Sequence, residues 1–252
     1  MEILVCLNDT LFKQLLCLLL NLSQKIKNNK EARIHIIHSN LSRKQINRIY
    51  RFSECLSLKI KTYQISDSLC AGFPYWGHGS TANYYRLFFS DIVDFQSSKI
   101  LYLDLDIIIL SDLSNLYKKN LEDHVIGAHG SDKKSFNSGI MLIDIAKWID
   151  ADVPKQTLKI INEKNISLTW WDNDILNHIF FGKWTEIGNA WNFMPNYFMD
   201  KSISPIIVHF AGASKPWQRG YHLPYSKTYR KNLRKAQRIY LLSSFLKFKS
   251  EQ

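Results

Sequence analysis

The hydrophobic positions of this chain fall in short runs separated by longer amphipathic stretches. EILVCL (2–7), ARIHIIH (32–38) and LKIKTYQI (58–65) are apolar or alternating and rich in β-branched residues, so each predicts a strand. A leucine-rich segment over 11–26 follows Asn8-Asp9-Thr10 and has helical length without a breaker. LSRKQINRIYRFSECL (41–56) predicts a second helix, with Ser42 as its cap. This β-α-β-α-β rhythm predicts an α/β fold: a mostly parallel sheet with helices on its faces, and ligands at the carboxyl ends of the strands.

Beyond a Gly/Pro/aromatic loop, AGFPYWGHGS (71–80), the pattern predicts a helix over TANYYRLFFSDIV (81–93) and then the strand KILYLDLDIIIL (99–110). HVIGAHG (124–130) and SGIMLIDI (138–145) predict a later strand pair. TWWDNDILNHIFFG (169–182) predicts a helix, and SPIIVHFAGASKPW (204–217) a strand running into a turn. The expected organisation is one α/β domain over 1–217 with a C-terminal segment over 218–252.

Within the strand YLDLDIIIL (102–110), Asp104 and Asp106 are two residues apart, so alternation puts both carboxylates on one face. Two like charges in a buried strand are costly unless a cation lies between them. Mg²⁺ and Mn²⁺ prefer such oxygen donors and share coordination with phosphates. His209 ends the apolar run PIIVH and offers an imidazole, which tilts the choice toward Mn²⁺, with Mg²⁺ as the alternative. Gly212 and Lys215 follow it: a small residue lets a phosphate approach and an ammonium neutralises it.

Composition narrows the classes. At 46% hydrophobic and 22% charged residues, the chain is an ordinary globular sequence. Its four cysteines (Cys6, Cys17, Cys55, Cys70) have no CxxC spacing and read as reduced thiols of a cytoplasmic protein. MEILVCLND lacks the basic region of a secretory leader, and no apolar run reaches the ~20 residues of a membrane helix. The formal net charge is +11, and residues 227–252 hold eight Lys/Arg against Glu251, which is +7 of it. On a helix, Lys227, Arg230, Lys231, Arg234, Lys235 and Arg238 form one basic face, with Tyr229, Leu233, Ala236 and Tyr240 opposite. That amphipathicity predicts a peripheral helix on an anionic membrane surface. A nucleic-acid-binding protein would explain the charge but not the paired aspartates. A sugar-binding protein would explain the tryptophans but not Arg86 and Lys215.

The motifs STANYYRLFFSDIV, KILYLDLDIIIL, FNSGIMLIDIAKW, WDNDILNHIF and HFAGASKPW occur in this order between residues 80 and 217, within a resemblance that covers roughly residues 2–217. In this the chain resembles the retaining nucleotide-sugar glycosyltransferases of family 8. The resemblance implies a GT-A type nucleotide-binding fold and a metal held by Asp104, Asp106 and His209. It implies a UDP-sugar site drawn from Leu7, Asn8, Arg86, Asp104, Leu105, Asp106, Asn137, His209, Gly212 and Lys215, with Asn8 at the uracil. Asp172 and Asn173 correspond to the reacting face. The reaction implied moves a hexose, galactose favoured over glucose, from a UDP-hexose to a glycan or glycolipid acceptor such as a lipopolysaccharide core. A glycogenin-like glucosyltransferase is the alternative. His78 is the acceptor-side candidate, and Trp76, Trp170, Trp171 and Trp191 are candidates to stack on sugars. Two departures from the family pattern stand out: the short SDKKS segment (131–135), and Leu11 where several relatives carry an aromatic residue.

Overall fold

The computed structural model describes residues 1–26, 32–77, 79–130, 134–164, 166–197, 200 and 202–243. The three predicted N-terminal strands form as β1 (Glu2–Leu7), β2 (Arg33–His38) and β3 (Lys59–Gln64). They are joined by helices α1 (Phe12–Lys25) and α2 (Arg43–Cys55). Ser42 caps α2 in a full capping box with Gln45, whose side chain reaches back to the Ser42 backbone. A 3₁₀ helix over Thr81–Asp91 takes the place of the expected α-helix and leads into β4 (Lys99–Leu103).

The strand expected over 99–110 breaks at the aspartates. Asp104–Asp106 form an irregular bend, and the chain resumes as β5 (Ile107–Ile109), which leaves the main sheet. There β5 pairs antiparallel with β9 (Ile207–His209), Ile107 opposite His209. The physical reason is the one that made the pair puzzling: a continuous buried ladder cannot carry two adjacent carboxylates, whereas a bend between two sheets opens them to a cavity.

The chain continues through α3 (Ser114–Tyr117), β6 (Ile126–His129), β7 (Asn137–Asp144), α4 (Ile145–Asp150), α5 (Val153–Glu163), α6 (Asp172–Ile179) and β8 (Thr185–Glu186). The main sheet has the order β3-β2-β1-β4-β7-β6-β8, and only β7 runs against the others. Alternation sorts the central strands onto two cores. Ile3, Val5, Leu7, Leu101 and Leu103 pack under α1 and α2, while Leu4, Cys6, Ile100 and Tyr102 pack under the 3₁₀ helix and α4–α6. Edge strand β3 carries Lys59 and Lys61, charges that discourage pairing with another chain.

The last helix, α7 (Ser226–Ser243), is part of the fold rather than a detached appendage. Tyr240 packs edge-on against Phe12 of α1 and Phe52 of α2, with the Arg48 guanidinium 4.2 Å from its ring centre. Lys227, Lys231, Arg234, Lys235 and Arg238 are exposed on the far face, as the periodicity requires. Arg230 is the exception: it turns inward and donates to the carbonyls of Pro216 (3.1 Å) and Tyr221 (2.9 Å). Among the described residues no helix is long and apolar enough to cross a membrane. The four cysteines carry free thiols, three of them buried.

Candidate active site

A cavity of ≈ 590 Å³ opens where β4, β7 and β6 meet the small β5–β9 sheet, a size typical of small-molecule sites. Arg86, Asp104, Leu105, Asp106, Asn137, Asp172, Asn173, His209, Gly212 and Lys215 all line it. Leu7 and Asn8 do not: Leu7 is fully buried in the core, and the Asn8 carboxamide oxygen is taken up by Thr10 N–H and hydroxyl at 3.2 and 2.6 Å. Leu11, from the same turn, does reach the cavity. His78 lies outside the described residues. Trp170 and Trp171 line the cavity, Trp76 contacts Trp171 with ring centres 6.0 Å apart, and Trp191 packs on the core under α1.

The bend between β4 and β5 aims Asp104 and Asp106 at His209. Its Nε2 is 3.5 Å from Asp104 Oδ2 and 3.3 Å from Asp106 Oδ1, and one ligand atom from each residue falls within 4.8 Å of the others. Neighbouring ligands on an octahedral cation with ~2.1 Å bonds stand about 3 Å apart, so this donor set fits a divalent ion after a small contraction. Gly139 of β7 makes the cluster possible. A Cβ at that position would come within 2.2 Å of His209 Cε1 and 2.8 Å of Asp104 Oδ2.

Arg86 organises the carboxylates from the 3₁₀ helix. It is buried, donates to Asp104 Oδ1 at 2.9 Å and to the Ser138 carbonyl at 3.0 Å, and pairs with Asp172 Oδ2 at 3.2 Å. Its guanidinium stacks 4.1 Å from the Tyr102 ring centre, and the Tyr102 hydroxyl donates to Asp104 Oδ1 at 2.7 Å. Tyr102 and Asp104 share a face by strand alternation, which places the phenol under the carboxylate. Lys215 reaches across from the turn after β9 to pair with Asp106 Oδ2, and donates to the Phe210 carbonyl at 3.1 Å. The turn passes through Gly212 at φ +91°, where a side chain would also meet the Tyr197 hydroxyl.

The three aspartates differ in electrostatics. Burial pushes the Asp106 carboxyl up, but the Lys215 ammonium, with the His209 ring beside it, outweighs that and holds it well below the usual carboxylate range. Asp172 is buried with less compensation. Burial, reinforced by Asp104, outweighs Arg86 and raises it to about 7. Burial disfavours the Arg86 cation, yet Asp104 and Asp172 overcome it and keep the group charged. Asp172 opens α6 directly after Trp171, which holds φ +54°, a conformation costing a bulky residue about 1–3 kcal/mol. Asn173 is committed: its Oδ1 accepts the Ser138 N–H at 2.8 Å.

Several contributors were not anticipated from the sequence. His129 lines the cavity from the end of β6, its Nδ1 2.8 Å from Glu186 of β8. That carboxylate also accepts the Gly130 and Gly188 N–H groups, and the His129 bond together with these two outweighs its burial and lowers its pKa. Asn192 bonds His209 from behind. The only sequence signal for either pair was strand order, because the partners stand 57 and 17 residues apart.

A sequence profile described as Glycosyl transferase family 8 matches residues 5–220. Glycosyltransferase GlyF of Streptococcus pneumoniae is 28% identical over 75% of this chain, which spans 51% of that protein's length. General stress protein A of Bacillus subtilis is 25% identical over 91% of both chains. The lipopolysaccharide 1,2-glucosyltransferase of Escherichia coli is 26% identical over 73% of this chain and 63% of its own. Among solved structures, galactosyltransferase LgtC in complex with donor and acceptor sugar analogs superposes with a TM-score of 0.83 at 23% identity, covering 93% of this chain and 96% of that one. At that identity the likeness speaks for the fold.

Proposed function

The chain belongs to glycosyl transferase family 8, and from that premise we propose that it moves a hexose, galactose in preference to glucose, from a UDP-sugar to a hydroxyl of a glycan acceptor. A lipopolysaccharide-type core is the favoured acceptor, and the transfer retains the anomeric configuration. The observation that carries this reading is the Asp104–Asp106–His209 cluster on the wall of a cavity that also presents Lys215 and Gly212. A sugar-binding module needs neither a metal-sized donor set nor an ammonium beside it.

A divalent cation in that cluster, Mn²⁺ by its mixed carboxylate–imidazole ligands, supplies charge neutralisation to a leaving diphosphate. Lys215 brings a second positive charge to the same edge, over a Gly212 turn where the backbone can approach phosphate oxygens. Arg86 holds Asp104 in its ligating orientation and ties Asp172 beside the reacting face. Asp172 is thereby tethered to Arg86 and lies 3.4 Å from the Ser138 hydroxyl, while the Asn173 oxygen is occupied by a backbone N–H. Neither is placed as a free nucleophile. This supports a front-face course in which the departing phosphate oxygen takes the acceptor proton and Asp172 stabilises positive charge on the sugar. A glycosyl-enzyme adduct trapped on Asp172 would overturn that course. The exposed basic face of α7, ending in exposed Leu241 and Leu242, supports peripheral docking on an anionic leaflet that carries the acceptor.

The test is UDP release and UDP binding by the purified protein, with UDP-galactose and UDP-glucose in parallel, with and without Mn²⁺, beside Asp106→Ala. Metal-dependent release from one donor, lost in the variant, is expected and names the sugar. No metal-dependent binding of UDP or either donor would overturn the reading. Cosedimentation with anionic but not zwitterionic vesicles, weakened by salt, is the outcome expected for α7.

A further inference from the structure

Asn192 is fully buried behind His209, directly after the short 3₁₀ turn Asn189–Trp191. One side-chain end lies 2.9 Å from His209 Nδ1 and the other 3.0 Å from Asn137 Oδ1. The two ends of a carboxamide have nearly the same shape, so hydrogen-bond partners must decide which is oxygen. A backbone N–H can only donate, and Gly139 N–H meets Asn137 at 3.0 Å, so the Asn137 atom there is its oxygen. That oxygen can only accept, so the end of Asn192 facing it is the NH₂ group. The opposite end of Asn192 is then oxygen, which also only accepts, and His209 Nδ1 must carry a hydrogen. A neutral imidazole carries one. In the neutral ring that can ligate a cation, the lone pair therefore resides on Nε2, the atom aimed at Asp104 Oδ2 and Asp106 Oδ1.

We propose that Gly139, Asn137 and Asn192 form a relay that fixes the tautomer and orientation of His209, with Asn192 as the positioning residue for metal ligation. The inference rests on the divalent-cation reading of the cluster. Without Asn192 the imidazole can rotate or move its hydrogen to Nε2, and either change removes a ligand from the cation. The relay also reaches the cavity. Asn137 lines it, and its Nδ2 has no partner among the described residues. A ligand oxygen accepting from that NH₂ group would be joined to the metal ligand through two carboxamides, those of Asn137 and Asn192.

Two measurements test the relay. Free Mn²⁺ is counted by electron paramagnetic resonance against wild type, Asn192→Ala, Asn192→Asp and the double variant Asn137→Ala/Asn192→Asp. Long-range ¹H–¹⁵N correlation of the His209 ring in the Mg²⁺-loaded wild type reads which nitrogen bears hydrogen. A weakening of roughly 10- to 100-fold is expected for Asn192→Ala, the size of effect seen when groups behind metal ligands are removed. Asn192→Asp sets a carboxylate oxygen against Asn137 Oδ1 and is expected to weaken binding as well. Removing that clash in the double variant restores affinity, because a carboxylate accepts from Nδ1–H whichever way it is turned. A purely structural role for Asn192 would not produce that rescue. Wild-type affinity in Asn192→Ala, or hydrogen on Nε2 with Nδ1 ligating, overturns the relay. The ring measurement on wild type decides even if a variant fails to fold. A wild type that binds no Mn²⁺ overturns the metal reading, and the relay's purpose with it.

Discussion

Replacing Asp172 with asparagine is expected to stabilise the metal-free protein while impairing transfer. The carboxyl is buried, and burial together with Asp104 outweighs Arg86 to raise it from 3.8 to about 7. Each pH unit of that interval is worth about 1.4 kcal/mol, so keeping the group ionised in the fold costs about 4 kcal/mol. The attraction of Arg86 is already included in that figure. The sign follows from proton binding. Between pH 4 and 7 the unfolded chain has released this proton and the folded chain still holds it, so wild-type stability falls as pH rises and levels above 7. Asparagine resembles the neutral acid and escapes the penalty. The variant should therefore match wild type near pH 4, gain about 1.4 kcal/mol per unit between pH 4 and 7, and lead by about 4 kcal/mol at pH 8. Urea unfolding in EDTA at pH 5, 6, 7 and 8 measures the gap. In a chain of this size each kcal/mol also moves the thermal midpoint by roughly 2–4 °C. A gap that does not change with pH, or a variant less stable at pH 8, would refute the reasoning.

Other outcomes follow from the same contacts. Gly139→Ala places a methyl group 2.2 Å from His209 Cε1, and Mn²⁺ affinity should fall beyond roughly 100-fold; near-normal binding would mean that the cluster is not the metal site. Arg230→Ala removes a half-buried cation that ties Pro216 and Tyr221 together, so equilibrium unfolding should show a loss of about 1.5–3 kcal/mol. Because Lys215 precedes Pro216, the same variant should raise the KM for the UDP-sugar more than it lowers kcat. An unchanged KM would show that the turn holds its shape without the clamp.

The fold was legible where local pattern and tertiary burial agree. β1, β2 and β3 read directly as apolar or alternating runs, and Ser42 announced α2 because its cap is a local bond to Gln45. The bend at Asp104–Asp106 was not legible, since β-branched residues on both sides give each half strand propensity. Where the chain goes after the break is set by the pairing of Ile107 with His209, a contact across about a hundred residues. The candidate site divides similarly. Residues whose chemistry is conspicuous, such as Asp104, Asp106, Arg86 and Lys215, line one cavity. Asn192 and His129 were missed because an asparagine or a histidine acquires a role only through the neighbour it faces. Asn8 was expected at the nucleotide; its carboxamide oxygen accepts from Thr10, and Asn8 does not line the cavity.

The pairing of β5 with β9 also sets an order of events during synthesis of the chain. Arg86 and the Asp104–Asp106 pair are made early, while His209 and Lys215 arrive roughly a hundred residues later. Until β9 emerges and joins Ile107, a nascent chain carries the two carboxylates with no third ligand and no ammonium. A polypeptide stalled before His209 therefore holds every strand of the main sheet but lacks the partner of β5, so the Asp104–Asp106–His209 cluster is complete only once the last strand has joined.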